Sequence, residues 1–366
     1  MKLVKMRLMT VVVVVLMLII NLGPGAAESY AGEPRLVMKK IVEVGKEGEI
    51  LYSLYSVCED DEGNFYIMDG KRYNLLKFSP EGKKLLNFGN SGEGPGDFKS
   101  PSQVFFSENN GVVVTEMMNE ATIFTKEGKV VKKINFAKTL GLLFNIRYIG
   151  GDLFYAEKQG DIGVRYQILM NSEGKIVNSD LFLGSGWEII MEDGMRYSLS
   201  FDELTPHLIF GGYKSFAVVG KSDCYKLKII NDRGQVIKEI GRNVKGSPLT
   251  TKENQHFSQE INDIKEWSPQ VKKAFHELIP TEKMYYKKVM ITSRYVFVFR
   301  IKEDTTDQKS PYPVDIFEID GKFLGEVSMP ALPMLVSDKY IYFREGDNGD
   351  EDAPLYLSKY SYNLSF

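Results

Sequence analysis

The chain has little of what builds disulfide scaffolds, redox centres and histidine-rich metal sites. Its 366 residues include two cysteines, two tryptophans and three histidines. Two thiols in a chain of this size do not make a disulfide framework. Cys58 and Cys224 also fall in different repeats of the pattern described below, so no bond between them is expected. No Cys-x-x-Cys pair, nucleophile elbow or phosphate loop appears. Excess positive charge is lacking too. With 46 Lys and Arg against 49 Asp and Glu, the formal charge is −3, which disfavours nucleic acid as a partner.

A membrane-length apolar stretch is also missing. Lys2, Lys5 and Arg7 precede an apolar run from Leu8 to Ile20 and then small residues up to Ala27. A basic start, about a dozen apolar residues and a small-residue site describe an export signal. A bilayer-spanning helix needs about 20 apolar residues. Residues 1–27 are therefore read as a signal peptide, cleaved after Ala27 or Ala31. No cysteine follows the run, which argues against a lipid-anchored start. Removing three bases and no acid shifts the charge from −3 to −6. The expected location is periplasmic or extracellular, with no stable membrane insertion of the cleaved chain.

What the chain does have is rhythm. Asp60 to Pro101 reads as a meander: a strand over Phe65–Met68, a second over Asn74–Phe78, a turn at Pro80-Glu81-Gly82-Lys83, and a third strand over Lys84–Phe88. The glycine turn recurs at Gly128, Gly174, Gly234 and Gly321, with spacings of 46, 46, 60 and 87 residues. An apolar or aromatic strand precedes each turn, and another apolar strand precedes that one. Continuous apolar strands suit sheets packed on both faces. Four short strands per repeat of about 45 residues is the pattern of a β-propeller blade.

Counting gives six blades, with strands A (inner) to D (outer). The last blade ends at Phe366 after its third strand, and the strand over Leu36–Val44 has no A to C before it. Each deficit answers the other. The predicted fold is all-β, a single six-bladed propeller over residues 28–366 whose N-terminal strand becomes the outer strand of blade six. Closure of this kind leaves no open sheet edge.

At this point the chain resembles a known group. Asp61-x-Gly63-Asn64-x-Tyr66-x-x-Asp69, then Phe78-x-x-x-Gly82, then Phe88-Gly89-x-x-Gly92-x-Gly94-x-Gly96-x-Phe98-x-x-Pro101, is similar to an NHL repeat. It is especially similar to exported bacterial six-bladed NHL-like propellers. The detailed match covers blade one; the other blades keep the strand and turn rhythm. The resemblance implies the propeller fold, in a family largely of unknown function.

The long connections are Gly184 to Thr205, Gly241 to Tyr285, Glu303 to Pro311 and Glu345 to Ala353. By strand counting they are D–A and B–C loops, which open on one face of a propeller. Long loops gathered on one face point to function. The insertion at about 243–285 reads as two short amphipathic helices, from Phe257, Ile261 and Ile264 and then Val271, Phe275 and Leu278. Ser268-Pro269 is an N-cap followed by proline at the first helical position. The helices would pack their apolar faces on blades four and five, or cover part of the channel mouth.

The ends of the B strands should ring the channel on that face: Asp69, Glu116, Glu157, Gly220, Arg300 and Arg344. Three acids oppose two arginines, a ring suited to a zwitterionic or polar ligand whose carboxylate the guanidinium groups would hold. Asp69 has the competing role of accepting backbone N–H bonds in its turn. Trp187 and Trp267 lie in insertions on the same face, flanked by Tyr285, Tyr286 and Tyr312. Exposed aromatics bind sugars and peptides, and helix packing is the competing account of Trp267.

The amidating lyases on this fold use zinc-binding histidines from several blades. Here His256 and His276 both fall in the helical insertion, leaving His207 alone, which disfavours a zinc site. Lactonase-like propellers hold a divalent metal with channel carboxylates, a role open to Asp69, Glu116 and Glu157. The acidic run Asp347 to Asp352 is a possible Ca²⁺ ligand set that lacks EF-hand spacing. The reading is an exported binding module rather than an enzyme, needing no cofactor. Its ligand, a polar small molecule, peptide, glycan or protein, would sit on the B–C/D–A face through Arg300, Arg344, Glu116, Glu157, Asp69 and Trp187. A metal-dependent hydrolase is the alternative.

Overall fold

The computed structural model describes residues 34–366 apart from 47, 118, 161–163, 180, 186, 192–194 and 347–354, with backbone alone at 164, 183–185, 187–190 and 196. The signal segment, its cleavage sites and the acidic run from Asp347 to Asp352 lie outside the described residues, as does the side chain of Trp187.

Six antiparallel sheets follow one another along the chain. Blade one is Leu54–Glu59, Phe65–Asp69, Asn74–Phe78 and Lys84–Phe88, and blade two is Pro101–Ser107, Gly111–Glu116, Glu120–Phe124 and Val130–Asn135. Blade three is Leu143–Gly150, Leu153–Gln159 and Val164–Asn171, with an outer edge split between Ile176–Asn178 and Leu183–Ser185. Blade four is Leu208–Tyr213, Phe216–Lys221, Lys226–Asn231 and Val236–Gly241. Blade five is Tyr286–Ile291, Tyr295–Arg300, Tyr312–Glu318 and Phe323–Met329. Blade six is Leu335–Val336, Tyr340–Glu345 and Tyr356–Ser365, completed by the N-terminal strand Arg35–Val44. That strand pairs antiparallel with the last one from Arg35 opposite Ser365 to Val44 opposite Leu357. The ring is therefore closed as the sequence pattern requires.

The core is a series of layers between neighbouring blades rather than one central mass. Tyr66, Met68 and Leu75 of blade one, for example, pack against Val104, Val112, Val114 and Phe124 of blade two. Val44, Tyr342 and Leu357 of blade six meet Val57, Phe65 and Ile67 of blade one in the layer that shuts the ring. The B strands are buried on both faces, which is why they read as unbroken apolar runs. Cys58 and Cys224 are both free thiols.

The repeated glycine turn has one geometry. The Gly82 N–H donates to Ser79 O at 2.9 Å and the Ser79 N–H to Lys83 O at 2.8 Å; Gly128, Thr125 and Lys129 repeat the pattern. Gly82 and Gly128 have φ of 86° and 80°, in the left-handed region that side chains disfavour. A Cβ would also collide with the preceding blade, 2.6 Å from Val42 at Gly82 and 2.8 Å from Phe88 at Gly128. Gly82→Val should therefore destabilise the fold by more than about 1 kcal/mol, read as a lowered thermal midpoint. A neutral effect would contradict this account of the turn.

Two of the long insertions build a structure of their own. The 241–285 segment forms the helices Thr251–Asp263 and Pro269–Leu278, the second capped by Ser268 with proline at its start. The preceding D–A insertion forms a hairpin, Trp187–Ile190 paired with Arg196–Leu199. The apolar helix face of Ile261, Val271 and Phe275 packs against Met191, Tyr197, Leu199 and Phe201 of this neighbouring insertion. Instead of lying on blades four and five, the two insertions thus bury their apolar surfaces against each other. Trp267 belongs to this small core, stacked on Phe275 at 4.5 Å.

Candidate functional site

Each acid at a B-strand end is engaged by its own blade. Asp69 is fully buried and accepts N–H bonds from Tyr52 at 3.1 Å, Lys71 at 3.1 Å and Arg72 at 3.3 Å. Glu116 accepts from the Lys99 and Ser100 N–H groups at 2.7 and 3.1 Å, with Lys133 at 3.6 Å. Both carboxylates thus tie down the D–A loop that leads into their blade. Glu157 accepts from the Asn145 amide at 2.9 Å and lies 3.6 Å from Arg165. Among the described residues, no three His, Cys, Asp or Glu side chains come together as a metal-ligand set.

The two arginines part company. Arg344 is exposed at the end of its strand. Arg300 turns to the outer strands of blade five, pairing with Glu326 and lying 3.6 Å from the fully buried Asp315. Asp315 also takes Arg242 from blade four at 2.8 Å and the Tyr225 hydroxyl. This network stitches blades four and five together at the foot of a cleft of about 450 Å³. The cleft is lined by Arg300, Tyr225, Tyr285, Lys245 and Glu303, from or beside B–C and D–A connections, and by Glu326 of the outer strand of blade five. Of the five sequence-predicted site residues whose side chains are described, Arg300 is the one that lines it.

A buried ion pair ties the first helix of the insertion to the B–C connection of blade five. Lys283 and Glu253 lie 2.8 Å apart with 1% and 0% side-chain exposure. The Glu253 carboxylate also accepts from the Thr305 N–H and hydroxyl and caps Thr250. Burial would raise this carboxyl, but the Lys283 ammonium and the Thr305 and Thr250 donors outweigh it and hold it at about 2.

A second concavity went unseen in the sequence. The inner strands surround a cavity of about 240 Å³ on the propeller axis. In four blades a β-bulge interrupts the inner strand at an equivalent place, before Ser56, Gln103, Arg147 and Lys288. Those four side chains line the cavity. The available signal was a lone cation inside an apolar run at Arg147, in Ile146-Arg147-Tyr148-Ile149; Lys288 stands directly after Lys287 and carries no such mark.

The chain matches no protein-family model and no curated protein. Among solved structures it is similar to a DUF4221 family member from Bacteroides vulgatus, at 13% identity and a TM-score of 0.56 over 91% of this chain and 99% of that one. It is also similar to a Bacteroides fragilis structure named "Putative exported protein", at 10% identity and a TM-score of 0.52 over 91% and 96% of the two chains. Likeness at this level is one of fold. Among the described residues no helix is long and apolar enough to cross a membrane.

Proposed function

We propose that the protein is an exported binding module that takes a polar ligand on the face carrying its B–C and D–A loops. The observation that carries this reading is the 450 Å³ cleft between blades four and five, walled by long connections and holding both aromatic rings and charges of both signs. Such a lining suits a peptide or glycan with an anionic group opposite Arg300 and hydroxyl or cationic groups opposite Glu303 and Glu326. The N-terminal apolar segment and the fold shared with an export-named structure support the compartment.

Thermal-shift and calorimetric titration with defined short peptides and oligosaccharides tests this. One class should bind saturably. Arg300→Lys keeps a charge beside Asp315 but loses the planar fork, and should weaken that binding at least tenfold. Lys245→Ala, at the same cleft, should weaken it as well. No saturable binding, or binding untouched by both substitutions, would remove the site.

A further inference from the structure

The axial cavity carries an unusual charge arrangement. Arg147 enters from blade three and Lys288 from blade five. Each donates to a neutral carbonyl, Arg147 to Ile146 O at 3.1 Å and Lys288 to Pro333 O at 2.6 Å. Among the described residues neither forms an ion pair. A guanidinium has five N–H donors and an ammonium three, so both keep donors to spare. The acid that lines the same cavity, Glu59, is held elsewhere by the Tyr342 hydroxyl at 2.7 Å and the Ser337 hydroxyl at 3.1 Å. Glu157, beyond the Arg147 guanidinium, is committed to Asn145 and Arg165. Two like charges are thus drawn from water towards one space with no counter-charge in contact. Burial and the Arg147 charge together pull the Lys288 ammonium down to about 8, so both groups are cationic at neutral pH.

Arg147 and Lys288 are half-buried, and charges withdrawn from water in proteins are normally paired. A sustained pair of unopposed cations in a cavity therefore points to a missing anion. The rest of the lining narrows its class. The Gln103 side-chain oxygen accepts from Ser56 at 3.3 Å, which leaves its NH₂ as a third donor. Val57, Met290, Met334 and Leu335 supply apolar wall. At Gly211, a Cβ would stand 2.5 Å from Val289 O, so glycine lets the inner strands of blades four and five approach. A planar guanidinium matches a carboxylate bidentately, with the lysine as a point charge beside it.

We infer that the axial cavity is a binding site for a small organic carboxylate, its anionic end held by Arg147, Lys288 and the Gln103 amide and its apolar body by Met290, Met334 and Leu335. This site is separate from the cleft between blades four and five, and neither depends on the other.

The test uses the whole propeller and three probes at matched ionic strength: sodium benzoate, sodium succinate and inorganic phosphate, with sodium chloride as reference. At least one carboxylate should raise the thermal midpoint saturably beyond chloride and show a one-site calorimetric isotherm. Arg147→Met and Lys288→Gln should each weaken that binding at least tenfold. Without ligand both variants should melt no lower than the parent, because each removes one of two repelling cations. If Arg147→Met fails to fold, Lys288→Gln on a different blade carries the same comparison. The inference is overturned if no carboxylate shifts the midpoint beyond chloride, if phosphate alone does so, or if the shift survives in the folded variants.

Discussion

Removing the N-terminal strand up to Val44 should abolish the folded state. The strand supplies the whole outer edge of blade six, paired from Arg35 to Val44 with the chain's last strand. Leu36 and Met38 pack into the layer between blades five and six, and Val42 and Val44 into the layer between blades six and one. Burying four such side chains, most of them partly, contributes on the order of 5 kcal/mol. That is comparable to the entire net stability of a typical domain, about 5–15 kcal/mol. Val42 also covers the Gly82 turn of blade one, so the loss would reach across the seam. The Tyr356–Ser365 strand would be left as a long open edge, a template for aggregation. The expected result is a truncated protein that is insoluble or lacks a cooperative β transition by far-UV circular dichroism. A soluble variant with an unchanged thermal midpoint would show that the strand is dispensable.

Glu253→Gln should unfasten the helical insertion. It would leave the Lys283 ammonium, 1% exposed, without its carboxylate and weaken the acceptor of the Thr305 N–H and hydroxyl. Breaking one side of a buried ion pair typically costs about 3–5 kcal/mol. The double change Glu253→Gln with Lys283→Met should recover part of that, since no unpaired charge remains. The chain has two tryptophans, Trp187 and Trp267, and both fall in the insertions. Tryptophan fluorescence should therefore report the cap, while far-UV dichroism reports the propeller. The Glu253→Gln fluorescence transition should move to lower temperature and separate from the dichroism transition; coincident, unshifted transitions would rule out the fastening role. The pH dependence follows from the carboxyl held at about 2. A depressed pKa contributes stability above the unfolded value, near 4.3, and loses it as pH falls through the folded value. The fluorescence midpoint of the parent should thus drop between about pH 4 and pH 2, and that part of the drop should be missing in Glu253→Gln.

How far the sequence reaches can be judged at particular residues. The Gly82 and Gly128 turns are legible because a left-handed φ is a local demand that glycine meets wherever it occurs. Ser268-Pro269 marks a helix start by cap chemistry contained in two residues. The capping box of Thr250 and Glu253 is equally local, yet the partner that makes Glu253 matter is Lys283, 30 residues on. The strand over Leu36–Val44 could be assigned by counting, since a ring with one outer strand missing and one strand spare has a single economical closure.

The sequence by itself thus determined the repeat, the blade count, the closing strand and the helical insertion, each set by short-range backbone preference or by strand arithmetic. The tertiary structure alone decided where side chains point. Asp69 and Glu116 sit at B-strand ends as expected, but both are taken up by hydrogen bonds from loop N–H groups. Arg300 follows Asp315 and Glu326 outward to the groove between blades four and five. In the inner strands, a single inserted residue reverses the alternation of faces. The bulges before Arg147 and Lys288 decide that two cations share the axis of the ring. Parity of that kind depends on pairing with a neighbouring strand, which no stretch of sequence carries on its own.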